Sequence, residues 1–252
     1  MCVLQRYFVK SVTEVSFTIT SDDAKHISRV MRMNSGDKII CVSEQEHEAF
    51  LCQLLTVDIE KVEVKVLEKV KVETELPVHV TVAQSLPKGD KLDYIVQKGT
   101  ELGASHFIPL QSKRAIVKWE AKKVKKKLER LQKIAKEAAE QSYRLVIPQI
   151  ADPINWNELI ERVQEYDLVI VAYEEQAKSG EQAELAKALN QLEDGNHILV
   201  VIGPEGGLDS EEVQALHNKG AKVCGLGPRI LRTETASLYM LAAISYQFEL
   251  LR

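Results

Sequence analysis

The segment VVIGPEGGLDSEEV (residues 200–213) joins an apolar run to a glycine-rich turn and then to a cluster of acids. Such a run is typical of a strand buried on both faces of a parallel sheet. This run extends over 197–203, comparable runs lie at 167–173 and 221–227, and helical patterns lie near 180–191, 210–219 and 234–250. Strands that alternate with helices predict an α/β fold built on a mostly parallel sheet.

The pattern changes near Pro77. Residues 1–72 contain short β-branched runs separated by turn residues, which predict a small β barrel or sandwich. One helix interrupts these strands, with Ser21 predicted as its N-cap. We therefore place the boundary at 73–77, with a β domain over 1–72 and an α/β domain over 73–252.

The composition is that of a soluble globular protein, because 45% of the 252 residues are hydrophobic and 28% are charged. The N-terminal segment lacks a signal-peptide pattern and no apolar run is long enough to span a membrane, so a cytoplasmic location is expected. Neither the six histidines nor the four cysteines (Cys2, Cys41, Cys52 and Cys224) show metal-ligand or C-x-x-C spacing. We expect no metal and no disulfide framework.

The net charge of −4 hides a strong segregation. Residues 113–136 contain eleven Lys or Arg against two acids, whereas 171–212 contain two Lys against ten acids. One face could therefore meet a polyanion although the whole chain is acidic. The basic segment has the spacing of a long helix with one inward apolar stripe, and the alternative is that its lysines form only a solvated face.

The GPEGG turn at 203–207 does not match a phosphate-binding motif, and the acids that follow it would repel phosphate. Gly203, Gly206 and Gly207 would instead let the backbone approach an uncharged or cationic ligand. The alternative is a tight strand-to-helix turn without a ligand. Both interpretations remain open from this loop alone.

A second loop, LGPRILRTETA (226–236), places Arg229 and Arg232 close to a predicted helix start. The helix dipole disfavours cations there, so a functional reason for the two arginines is indicated. Ligands of open α/β sheets bind beyond the carboxyl ends of the strands. We therefore expect the loops at 172–176, 203–207 and 226–236 to meet at one crevice.

Five ordered motifs carry a resemblance to a known family: HISRVMRMNSGD (26–37), QKGTELG (97–103), EQSYRLVIP (140–148), VIGPEGGL (201–208) and LGPRILRTETA (226–236). Together they resemble the RsmE family, the small-subunit ribosomal RNA uridine N3 methyltransferases of the SPOUT superfamily. The chain has VMRM where VLRM is commoner in the family, a volume-conserving change.

The resemblance implies a small PUA-like β-barrel domain that binds RNA, followed by a SPOUT-type α/β knot domain with a trefoil knot. It also implies S-adenosylmethionine as methyl donor, 16S ribosomal RNA of the small subunit as substrate, and a homodimer whose active site draws on both subunits. General topology rules count against knots, so the knot rests on the resemblance alone.

The site residues predicted on this basis fall into three groups. The cofactor residues are Ala172, Ile202, Gly203, Gly206, Gly207, Leu226, Gly227, Ile230 and Leu231. The catalytic residues are Glu234, as acceptor of the uracil N3 proton, and Arg232, because either Arg232 or Arg229 would stabilise charge on the uracil oxygens. The RNA-binding residues are Arg6, Arg29, Arg32, Arg144 and Arg229, with the lysines of 122–127 as further candidates.

Several alternatives remain. Glu234 could be only a helix-start carboxylate that interacts with the dipole. The chain could methylate another RNA site, or bind RNA without catalysis. A nicotinamide oxidoreductase is disfavoured because no dinucleotide fingerprint follows the predicted strand at 78–84. The apolar last helix is predicted to be core or dimer interface.

Overall fold

The computed structural model describes residues 4–13, 15–174 and 183–251. The chain divides into two compact units. Unit 1 comprises Met1–Glu75 and Ala139–Ile147, and unit 2 comprises Leu76–Ala138 and Pro148–Arg252. Within the described residues, no helix combines the length and the apolar character needed to cross a membrane.

Unit 1 contains a five-stranded sheet, as the β-branched runs predict. The strands are β1 (Arg6–Val9), β2 (Ser16–Thr20), β3 (Lys38–Ser43), β4 (Glu48–Val57) and β5 (Lys61–Val70), in the order β1-β3-β4-β5-β2. Strands β1 and β3 are parallel, and the other pairs are antiparallel. Helix α1 (Ser21–Lys25) continues into a π turn at His26–Val30.

The N-cap of α1 is Thr20, which has an extended backbone, and the prediction of Ser21 is wrong by one residue. Serine and threonine are both favoured at this position, so the sequence alone does not choose between neighbours.

Two apolar clusters stabilise unit 1. Tyr7, Ile27 and Ile39 belong to the first cluster, which lies between the sheet and α1. Phe8 and Val42 belong to the second, which also includes Ala139 with Leu145 and Ile147 packed against it. The segment 139–147, which is distant in sequence from the rest of unit 1, therefore contributes to its core.

Unit 2 contains a seven-stranded sheet in which every pairing among the described strands is parallel. Its strands are β6 (His79–Ser85), β7 (His106–Gln111), β8 (Gln149–Ile150), β9 (Ile154–Asn155), β10 (Leu168–Ala172), β11 (His197–Ile202) and β12 (Lys222–Cys224). The order is β12-β10-β11-β6-β7-β8, and β9 also pairs with β7. The predicted α/β class is confirmed.

The helices of unit 2 follow or separate these strands. They are α2 (Lys91–Glu101), α3 (Ala121–Gln141, which ends in unit 1), α4 (Trp156–Glu161), α5 (Ala183–Leu189), α6 (Ser210–Asn218) and α7 (Thr233–Ser245). A 3-10 turn at Arg162–Glu165 follows α4, and a π turn at Tyr246–Leu250 follows α7. The predicted loop at 172–176 and helix near 180–191 lie partly outside the described residues. The trefoil knot stays a prediction.

The sheet register determines where the loops of unit 2 meet. Ala172 at the end of β10 pairs with Ile202 at the end of β11 and with Cys224 at the end of β12. Because the three strands are parallel neighbours, their carboxyl ends lie at the same edge of the sheet. The loops that follow them therefore begin side by side.

Three histidines begin strands at the opposite, amino edge of the sheet. His79 and His197 are directly paired in β6 and β11, and their rings stack with centroids 4.7 Å apart. His106 begins β7, next to β6. Burial, and then the charges of His79, His197 and Arg162, lower the pKa of His106.

A lowered pKa in the folded state means that the unfolded chain binds more protons than the folded chain as the pH falls below about 6.5. The free energy of unfolding is therefore expected to decrease below that pH and to be fully retained above it. Urea unfolding at pH 7.5 and 5.5 measures this loss of unfolding free energy. The loss should be smaller in His106→Asn than in the wild type. His47→Asn, at an exposed site in unit 1, is the control. An equal decrease in wild type and His106→Asn would contradict the prediction.

Candidate active site

The loops after β10, β11 and β12 enclose a cavity of about 360 Å³ in unit 2. This volume lies within the range of small-molecule sites. Of the residues predicted to bind the cofactor, those that line the cavity are Ala172, Ile202, Gly203, Gly207, Leu226, Ile230 and Leu231. Arg229 and Arg232 also line it, whereas Gly206, Gly227 and Glu234 are not among its lining residues.

The turn after β11 requires glycine at two positions for reasons of folding. A Cβ atom on Gly203 would lie 3.0 Å from Leu208 Cγ and 3.1 Å from the carbonyl carbon of Gly207. Gly207 has φ +68°, and its N–H donates to the carbonyl of Pro204 at 2.9 Å. A Cβ on Gly206 would make only an ordinary contact, at 3.6 Å from Arg114 Cβ. Gly203 and Gly207 thus shape the cavity wall.

The acids after the turn are paired within unit 2. Asp209 and Glu212 form a capping box at the start of α6. The backbone N–H of Lys113 donates to Glu212 Oε1 at 2.7 Å, and Lys113 Nζ lies 3.2 Å from Asp209 Oδ1. The hydrogen bond from Lys113 lowers the pKa of Asp209. These carboxylates anchor α6, a function that the sequence analysis did not identify.

Lys91 connects two further carboxylates beside the cavity. Its Nζ lies 2.9 Å from Glu205 Oε1 and 3.4 Å from Glu234 Oε2. Glu205 raises the pKa of Lys91. Partial burial raises the pKa of Glu205, but the hydrogen bonds from Lys91 and from the backbone N–H of Lys88 outweigh it, so the pKa is lowered.

The two predicted catalytic residues occupy different environments. Arg232 is exposed at the N-cap position of α7 and lines the cavity. Glu234 lies in the first turn of the same helix, with a side chain 16% exposed. Arg229 is exposed and lines the cavity as well. The guanidinium groups of Arg229 and Arg232 therefore lie at the cavity. The carboxylate of Glu234 is held by its ion pair with Lys91, which also lines the cavity.

A buried polar network joins three elements behind the cavity. Gln84, at the end of β6, donates through Nε2 to Thr233 Oγ1 at 2.9 Å and accepts from Ser237 Oγ at 2.5 Å. Thr233 Oγ1 donates in turn to the carbonyl of Gly203 at 2.6 Å. One sequence signal could have indicated this network, namely the polar Gln84 inside the buried strand segment VTVAQS (80–85).

Replacing Gln84 by Leu is expected to lower the free energy of unfolding by about 1–3 kcal/mol, because the buried hydroxyl groups of Thr233 and Ser237 each lose one hydrogen bond. Urea unfolding measures the change. Gln111→Leu is the matched control, since this half-buried glutamine ends the neighbouring strand β7 and its amide reaches Ser112 O at 3.5 Å. Equal losses in the two variants would mean that the network adds nothing specific.

The predicted RNA-binding arginines of unit 1 separate into two kinds. Arg144 is 3% exposed, and its Nη2 lies 2.6 Å from Glu75 Oε2. Arg6 is 7% exposed, and its Nη1 donates to the carbonyl of Arg144 at 3.3 Å. This burial favours a structural role for both residues. Arg29 and Arg32 are exposed, and their contact with RNA stays a prediction.

Other reactive groups are dispersed. Among the described residues, no three His, Cys, Asp or Glu side chains cluster in a way that could hold a metal ion. Cys41, Cys52 and Cys224 are buried free thiols, and Cys2 lies outside the described residues.

Two family models match the chain. A model described as an RNA methyltransferase domain covers residues 74–245, and one described as an RNA methyltransferase PUA domain covers residues 19–67. The first match includes the strands and loops that form the cavity. The second lies within unit 1. The predicted fold, a PUA-like β domain with an α/β methyltransferase domain, is confirmed.

Relatives cover nearly the whole chain. The chain is 50% identical to the ribosomal RNA small subunit methyltransferase E of Bacillus subtilis (strain 168), over 99% of both chains. It is 31% identical to the protein of that name from Mesomycoplasma hyopneumoniae (strain 232), over 94% of this chain and 97% of the relative. A crystal structure of the Neisseria gonorrhoeae methyltransferase E bound to S-adenosyl methionine has a TM-score of 0.83 at 27% identity, with 98% of each chain covered. The chain therefore belongs to the ribosomal RNA small subunit methyltransferase E family.

Proposed function

We propose that the chain uses S-adenosylmethionine to methylate N3 of a uridine in 16S ribosomal RNA of the small ribosomal subunit. The observation that carries this proposal is the cavity at the carboxyl edge of the sheet, which three loops of unit 2 enclose and two arginines flank. Membership of the family and the bound donor in the Neisseria gonorrhoeae relative support it.

The cavity residues fit this methyl donor. Ile202, Leu226 and Leu231 provide apolar surface suited to an adenosine group, and the carboxylate of Glu174 suits a cationic ligand. S-adenosylmethionine carries no phosphate, so the acidic surroundings of the turn do not oppose it. When bound, it supplies an electrophilic methyl group.

The residues beside the cavity match the needs of the second substrate. Uracil N3 carries a weakly acidic proton on the pairing edge of the base, so the nucleotide must be unpaired when it enters. Glu234 would accept that proton, and Lys91, 3.4 Å away, would hold the carboxylate in place. Arg232 and Arg229 would stabilise the negative charge that develops on the uracil oxygens. The alternative role for Glu234 as a helix-start carboxylate predicts no effect on the proton transfer.

Product analysis tests the proposal. Nucleosides of small-subunit ribosomal RNA from cells with and without this protein should differ by one N3-methyluridine, detected by mass spectrometry. An unchanged uridine pattern would reject the substrate, and a different methylated nucleoside would favour the alternative of another RNA site. If all methylated nucleosides are the same with and without the protein, a non-catalytic RNA-binding protein is favoured.

We also infer a homodimer through α7 and the turn that follows it. Tyr239, Tyr246 and Leu250 are 43%, 54% and 71% exposed and recur at helical spacing, which leaves an apolar stripe uncovered in one chain. Static light scattering of the purified protein should give twice the chain mass of 28.4 kDa. Tyr239→Glu should shift the mass toward that of one chain, and a monomeric wild type would contradict the inference.

A further inference from the structure

The start of helix α3 presents a dense basic face. Its first residues, 121–127, read AKKVKKK and contain five lysines. All five are exposed, and the side chain of Lys122 is 79% exposed. The inward stripe of the same helix includes the buried residues Leu131 and Ala135. Packing therefore requires the apolar stripe but not the lysines.

The placement of these charges works against the helix itself. The first turn contains no acidic residue, although the helix dipole favours acids and disfavours lysines there. The pairs Lys122/Lys126 and Lys123/Lys127 stand four residues apart, and like charges at that spacing destabilise a helix by about 0.2–0.5 kcal/mol each. Helix formation does not explain the cluster, so a ligand for the charges is a better explanation than a solvated face.

Much of the charge is not neutralised within unit 2. Glu120 pairs with Lys122 at 3.4 Å and Lys123 at 2.8 Å, so one carboxylate serves two lysines. Lys127 lies over the Trp119 ring, 5.0 Å from its centroid. Among the described residues, Lys125 and Lys126 have no carboxylate within salt-bridge distance.

The basic face begins seven residues after Arg114, which contacts the glycine turn. Arg114 Nη1 donates to the carbonyl of Gly206 at 3.4 Å, which places this residue on the glycine turn. Helix α3 begins at Ala121, and a chain segment of that length spans at most about 25 Å. A polyanion that reaches the cavity could therefore also reach the lysines.

We propose that Lys122, Lys125 and Lys126 bind the sugar-phosphate backbone of the ribosomal RNA that carries the target nucleotide. This inference rests on the proposed function, because it assumes that the ribosomal RNA methylated at the cavity is the same molecule that the lysines bind. RNA is favoured over an acidic protein surface because the enzyme family acts on ribosomal RNA. Phosphate contacts of this kind supply affinity and position without reading sequence.

A double charge reversal tests the surface. Lys125→Glu/Lys126→Glu is compared with Lys219→Glu/Lys222→Glu, which changes the net charge equally through exposed lysines at the end of α6 and the start of β12. Lys126→Glu replaces the unfavourable Lys122/Lys126 pair by an opposite-charge pair, and this gain offsets the new pair of acids that Lys125→Glu forms with Glu129, so the first variant should keep its melting temperature. The binding probe is small ribosomal subunits from cells that lack this protein.

At about 0.1 M salt, the first variant should bind the subunits at least about tenfold more weakly, and its plot of log affinity against log salt should be shallower by about 1–2. The control pair should stay within about twofold of wild type. Equal weakening in both pairs would show a net-charge effect and overturn the inference, as would an unchanged affinity and slope. If the first variant alone binds weakly but wild type forms no N3-methyluridine, the surface stands and the proposed function fails.

Discussion

Replacing Glu234 by Gln should lower kcat by about 10²–10⁴-fold, because the amide keeps the shape of the side chain but cannot accept the N3 proton. The affinity for S-adenosylmethionine should remain unchanged, since Glu234 is not among the residues that line the cavity. Methyl transfer to small ribosomal subunits measures kcat, and calorimetry measures the affinity for the donor.

Glu205→Gln is the matched control for this prediction. Glu205 contacts the same ammonium group, with Lys91 Nζ at 2.9 Å from Oε1, but it belongs to the glycine turn. If Glu234 is the proton acceptor, Glu205→Gln should reduce kcat much less than Glu234→Gln. Equal reductions would show that both carboxylates act only by holding Lys91, and would remove Glu234 from the mechanism.

Gly203→Ala is expected to weaken binding of S-adenosylmethionine by about tenfold to hundredfold. The added methyl group would lie 3.0 Å from Leu208 Cγ and 3.1 Å from the Gly207 backbone, so the turn that forms the cavity wall must move. Overpacking of this kind costs about 1–3 kcal/mol, and about 1.4 kcal/mol corresponds to a tenfold change in affinity. Calorimetry measures the change.

Gly206→Ala is the control, because its new methyl group meets Arg114 Cβ at an ordinary 3.6 Å. It should leave the affinity within about twofold of wild type. Circular dichroism establishes that both variants are folded. A folded Gly203→Ala protein with a lower melting temperature but undiminished affinity for the donor would show that the turn serves the fold alone.

The sequence was sufficient to predict the α/β class and the meeting of three loops. The apolar runs at 167–173 and 197–203 are local signals of buried parallel strands, and parallel neighbours bring their carboxyl ends together. The resemblance added the methyl donor and the substrate. Residue roles at the cavity stay predictions, although Arg229 and Arg232 both lie at its wall.

The contacts that the sequence did not predict depend on residues far apart in the chain. Gln84 and Thr233 are joined by a hydrogen bond of 2.9 Å that no local pattern indicates. The acids after the glycine turn argued against a phosphate ligand, but Asp209 is paired with Lys113 from another loop. Arg144 lies within the family motif at 140–148 and was predicted to contact RNA, and its burial against Glu75 could not be read from the spacing.

A crystal structure of the chain grown with S-adenosylmethionine is the most direct test of the site. We predict that the donor lies between the turn at 203–208 and the loop at 226–232, with its methyl group directed toward Arg232 and Glu234. A donor that binds elsewhere on the chain, or one whose methyl group faces away from both side chains, would contradict the proposed mechanism.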